Sequence, residues 1–69
     1  MTTTAALAQA RTDIHAAVAA HDDRDRRRQY ALSARDHATE VLHADDATRT
    51  ELEYAGYYLD DAYGMLAAS

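Results

Sequence analysis

Residues 17–31 read AVAAHDDRDRRRQYA, and the fold turns on whether this stretch is a rod or a bend. Nothing in residues 21–28 forbids helix, so two architectures compete. One is a long kinked helix with a helical hairpin arm; the other has two separate helices joined by a turn near 21–23. Phase separates them. The upstream apolar stripe is Leu7, Ala10, Ile14 and Ala17/Val18, and at 3.6 residues per turn it continues onto His21, Asp25, Arg28 and Arg35. The stripe that follows is instead Tyr30/Ala31, Ala34, Ala38 and Val41/Leu42. The two are out of step by roughly one residue, about 100° on a helical wheel. A turn brings both stripes back to one core. Asp22 and Asp23 suit it, because an Asp side chain accepts the orphan N–H groups of a helix start.

A second break follows the same logic. Asp45 and Asp46 precede another helical pattern, and Thr48 and Glu51 have the Thr-x-x-Glu spacing of a capping box just before Leu52. The expected fold is all-α: a three-helix antiparallel bundle, with helices near 4–20, 24–44 and 47–68, forming a single small helical domain over 1–69.

Composition bounds what such a bundle can bury. The chain has 69 residues and is 48% hydrophobic, but 17 of those residues are Ala, leaving six Leu, two Val, one Ile, two Met and five Tyr. A chain of this length sits near the limit at which one core offsets chain entropy. Self-association would relieve that shortage, so an oligomer is expected.

The same counts remove several function classes. There is no Cys, hence no disulfide framework, thiolate metal site or Cys nucleophile. No apolar run approaches the ~20 residues that span a bilayer, so a membrane role is not expected. The start, MTTTAALAQARTD, lacks the basic and strongly apolar regions of a secretory signal, and a cytoplasmic location is the expectation. A net charge of −5 disfavours direct nucleic-acid binding.

Helix faces point to where function lies. In the first helix Ala6, Leu7, Ala10, Ile14, Ala17 and Val18 share one side, away from Gln9, Thr12, Asp13 and His15. In the second, Tyr30, Ala31, Ala34, Ala38, Val41 and Leu42 oppose Gln29, Asp36, Glu40 and His43. The third is broader. Leu52, Ala55, Leu59, Ala62, Tyr63 and Leu66 form a seam alternating threes and fours, with Gly56 beside it, where a close backbone approach is expected. Tyr54, Tyr58 and Met65 form a second stripe next to the first. Together they cover about 220°, against the roughly 100° or somewhat more that one core requires.

The surplus stripe reads as a protein interface, since Tyr and Met supply large, adaptable contact area. Tyr54, Tyr58 and Met65, with Tyr57 at the edge, are the candidate partner-binding residues. The expected function is a non-enzymatic protein–protein interaction module, a homo-oligomer or a small accessory or regulatory subunit. The plainer alternative treats the tyrosines as lids over an Ala core. A different functional alternative rests on Glu53, Asp60 and Asp61 gathered around Tyr57: an acidic decoy or inhibitor that occupies the basic surface of a nucleic-acid-binding protein.

Other candidate chemistry is thinner. Asp36, Glu40 and His43 share an arc of about 60° on the second helix, and Glu40 and His43 have the Glu-x-x-His spacing of di-iron bundles. Only one copy is present and it points away from the seam, so a metal-binding oligomer is the least favoured reading and no cofactor is expected. Arg24, Arg26, Arg27 and Arg28 are offset by Asp22, Asp23 and Asp25, with Asp22–Arg26 and Asp23–Arg27 in favourable ion-pair order. Ser33 lies one turn from His37, but no third group for a nucleophilic triad can be placed from sequence.

Overall fold

The computed structural model describes residues 1–68; Ser69 lies outside the described residues. Three helices follow in order, α1 (Thr3–Ala19), α2 (Arg24–Leu42) and α3 (Arg49–Ala68), and among the described residues there is no strand. They pack as the three-helix bundle that the phase argument favours over a single long rod.

Each helix start is capped by a side chain. Thr2 accepts from the Ala5 N–H at 3.1 Å, and Asp23 accepts from the Arg26 N–H at 3.0 Å. At α3 the capping box is complete. The Glu51 N–H donates to the Thr48 hydroxyl at 3.1 Å, while the Glu51 carboxylate accepts from the Thr48 N–H at 2.9 Å. The turn between α1 and α2 is closed by the Asp23 N–H bonding to the Ala20 carbonyl at 3.0 Å.

Two layers of core show the direction of every helix. Ala6, Val41 and Ala55 meet at one end, flanked by Leu7, Leu42 and Ala47; Ile14, Ala34 and Ala62 meet at the other, flanked by Tyr58 and Met65. Numbers rise from the first layer to the second in α1 and α3 and fall in α2. Helices α1 and α3 are therefore parallel to each other, and α2 is antiparallel to both. Helix α2 is the shared partner, since α1 and α3 each pack on it more extensively than on one another.

The core is thin. Among the described residues nine of the eleven buried apolar ones are Ala, and Val41 is the largest side chain that is fully buried. Alanine seams let helix axes approach closely, which gives good packing but little buried area per residue.

Several expectations need correction. Helix α2 ends at Leu42, two residues early, as the chain turns through His43 and Ala44 to reach Thr48. Asp45 and Asp46 do not cap α3; Thr48 does, and Asp46 instead accepts a hydrogen bond from the Thr3 hydroxyl. Leu52 and Tyr63, placed in the core seam, are exposed. Ala55 and Ala62 point at the bundle axis, and these two lie about 80° further round the helix, beyond the edge of α2. Val18 is exposed near the end of α1. No close approach occurs at Gly56: a side chain there would meet nothing within 4 Å. The ion pairs Asp22–Arg26 and Asp23–Arg27 are not formed, and Asp23 accepts the cap hydrogen bond instead; the Arg–carboxylate pair among the described residues is Arg35–Asp36 at 3.1 Å.

Candidate functional site

The shorter meeting of α1 and α3 leaves an open groove along their seam. It encloses about 480 Å³ and is lined by Thr4, Leu7, Ala8 and Arg11 from α1 and by Tyr54 and Tyr58 from α3. Helical spacing puts these residues in line: Thr4, Leu7/Ala8 and Arg11 rise one turn at a time, as do Tyr54 and Tyr58. At the capped end the groove is tied shut by the Thr4 hydroxyl donating to Glu51 at 3.2 Å.

The stripe of candidate interface residues divides at this groove. Tyr58 and Met65 are half-buried and pack against Ile14, Ala34 and Ala62, so α1 covers their inner sides. Tyr54 and Tyr57 remain 48% and 61% exposed. The Tyr54 ring lies 6.2 Å from Tyr58 and stands edge-on to Tyr57 at 6.0 Å, linking groove and outer surface through three rings. Such edge-to-face pairs hold ring orientation as well as adding contact energy. Tyr63, 53% exposed, lies on the other flank of α3, away from this cluster.

Charges surround the rings unevenly. Glu53, Asp60 and Asp61 are all exposed on α3, and among the described residues none of them makes an ion pair. Arg11, on the opposite wall, is also exposed and also lacks an acidic partner among the described residues. Arg11, Thr4 and Ala8 are not among the sequence candidates, and Leu7 is read there only as part of the core stripe. The available signal was Arg11 one turn after Leu7, at the edge of the apolar stripe.

A second polar cluster lies between α1 and α2. Asp13, expected on a polar face, is only 4% exposed. Its carboxylate accepts from Gln9 Nε2 at 2.9 Å and from the Ser33 hydroxyl at 2.6 Å, and His37 Nδ1 lies 3.2 Å away. This supplies the third group that sequence could not place beside Ser33 and His37. The arrangement does not prepare a nucleophile. Ser33 already donates its proton to Asp13, and His37 Nδ1 faces two acceptors, Asp13 and the Ser33 carbonyl at 2.9 Å. The nitrogen that approaches Ser33 is thus assigned as a donor, not as the base a serine would need. The trio ties α1 to α2.

The remaining candidates do not converge. Asp36 and Glu40 are exposed on α2 and His43 just beyond its end, with Asp36 paired to Arg35. Among the described residues no group of three or more His, Asp or Glu side chains is placed to hold a metal ion. Among the described residues no helix is long and apolar enough to cross a membrane. No family model, curated protein or solved structure matches the chain.

Proposed function

We propose that this chain is a non-enzymatic protein-interaction module that presents the ring cluster of Tyr54, Tyr57 and Tyr58 to a protein partner. The observation behind the reading is the exposure of Tyr54 and Tyr57, held in edge-on contact at the mouth of the α1/α3 groove. Rigid tyrosines offer much contact area at little rotamer cost, and their hydroxyls tolerate a wet rim. The groove is too open to surround a small molecule, most of whose surface a ligand site normally buries. Met65 supports the cluster from below, packed on the core.

A photoreactive side chain at position 57 tests this. It should crosslink to protein, and Tyr54→Ala should abolish the product, whereas the same probe at His43, just past the end of α2, should give none. Equal labelling from both positions would remove the case for a tyrosine-centred surface.

The acidic fringe of Glu53, Asp60 and Asp61 favours one further reading, a partner with a basic, nucleic-acid-binding face. Binding of that kind should weaken steeply with salt, while a complex centred on the rings should weaken much less.

A further inference from the structure

We infer that the partner at the α1/α3 groove is a second copy of this chain, related by a two-fold axis parallel to the helices, with Arg11 of each copy meeting Asp61 of the other. The inference rests on the tyrosine-centred reading above and adds the occupant, the symmetry and the charge pair.

Three observations lead to it. The first is direction. Helices α1 and α3 are parallel, with their N-terminal ends tied by Thr4 and Glu51. A two-fold axis along the groove exchanges left and right without reversing the helices, so α1 of one copy lies over α3 of the other at matching height. The second is charge. Counting from Thr4 and Glu51, Arg11 lies seven residues along its helix and Asp61 ten, an axial offset of about 4.5 Å at 1.5 Å per residue. An arginine side chain covers that distance. Each wall also carries what the other lacks: among the described residues Arg11 makes no ion pair with an acid, and Asp61 makes none with a cation. Facing copies make two such pairs at once.

The third observation is the shortage of buried side chains. With nine of eleven buried apolar positions occupied by Ala, the chain hides little area by itself. Its surface is 4476 Å², and a standard-size interface takes about 800 Å² from each partner, roughly a fifth of the whole. In the proposed pairing Tyr54 and Tyr58 of one copy lie over Leu7 and Ala8 of the other. The small Ala8 leaves room for a ring to enter the groove.

Sedimentation of the full chain over a concentration series, with three sets of variants, tests the inference. The wild type should reach dimer mass, and its melting temperature should rise with concentration. Arg11→Glu and Asp61→Arg, both at exposed positions, should each raise the dimer dissociation constant by about tenfold or more through like-charge opposition. An equimolar mixture of those two single variants should recover dimer, because the opposed charges become complementary in the mixed pair. Tyr54→Ala/Tyr57→Ala should also weaken the dimer while circular dichroism keeps its helical signal. A wild type that stays monomeric at the highest concentration overturns the second copy as partner, while the crosslinking test still decides the tyrosine reading. A dimer sensitive to the tyrosine variants but with no rescue in the mixture overturns the Arg11–Asp61 geometry alone. A dimer insensitive to the tyrosine variants overturns both.

Discussion

Ser33 on α2 donates its hydroxyl proton to Asp13 on α1 across 2.6 Å, joining the polar edges of two helices whose buried seams are almost all alanine. Dispersion and area burial between such seams are small, so orientation depends more than usual on polar contacts. A carboxylate with three polar neighbours fixes both the rotation and the height of α1 on α2. Its cost is desolvation, which those donors offset only while all of them are present.

Asp13→Ala should therefore destabilise the fold by about 1–3 kcal/mol, because it strands Ser33 and His37 in a half-buried site. Ser33→Ala should cost less. The double variant should cost clearly less than the two singles together, since a serine with no acceptor opposite has little left to lose. Urea denaturation followed by circular dichroism measures all three. Strict additivity would mean that the bond does not couple the helices.

How much of this was legible in the sequence depends on what each signal measures. Periodicity reports an average face, and it placed all three helices and rejected the rod through residues 21–28. The capping box of Thr48 and Glu51 could be read because its geometry is local. Asp13 could not be read as buried, since its burial depends on which donors a neighbouring helix brings opposite. Two i,i+4 polar pairs, Gln9 with Asp13 and Ser33 with His37, were the trace it left. At the groove, the sequence showed that α3 has more apolar circumference than one core needs. It could not show that α1 would cover Tyr58 and Met65 while leaving Tyr54 and Tyr57 open, because that depends on how closely α1 and α3 approach.

Gly56 and Gly64 give a prediction of opposite sign. Both lie inside α3, neither has a left-handed backbone, and a side-chain carbon at either would meet nothing within 4 Å. Each should cost helix stability without a packing return. Gly56→Ala and Gly64→Ala should stabilise the fold by about 1 kcal/mol each, or about 4–8 °C in a chain of this size. Thermal melts at fixed protein concentration check this. A fall in melting temperature for Gly56→Ala would reveal a neighbour in solution that fills the space beside it.

The start of α3 should respond to acid. The Thr48 backbone N–H, donating to the carboxylate, is the main cause that holds Glu51 below the ordinary glutamate range, and the Thr4 hydroxyl adds to it. The folded chain therefore binds this proton more weakly than the unfolded chain does. The resulting stabilisation is complete above the unfolded value and is lost as pH falls through the lower folded value. Glu51→Gln should be less stable than the wild type at about pH 7, and the gap should close as pH falls through that lowered folded value. A gap that stays constant across that range would show that the charged form contributes nothing to the cap.

The two valines test the bundle most directly, because the same substitution should give unequal results. Both lie on apolar stripes in the sequence, yet Val41 is fully buried between Ala6 and Ala55 while Val18 is 60% exposed. Val41→Ala removes two methyl groups from the one layer that holds a large, fully enclosed side chain. Ala6 and Ala55 have no rotamers with which to close the gap, and only the flanking Leu7 and Leu42 can adjust, so the lost transfer energy and much of the cavity both count, for about 2 kcal/mol. Val18→Ala should change stability by no more than about 0.5 kcal/mol, as exposed positions generally do, and alanine's better helix propensity works in its favour. Denaturant midpoints for the pair decide the matter. Comparable losses would place Val18 under cover in solution, which near the far end of α1 requires a second molecule on the α1/α3 side of the bundle.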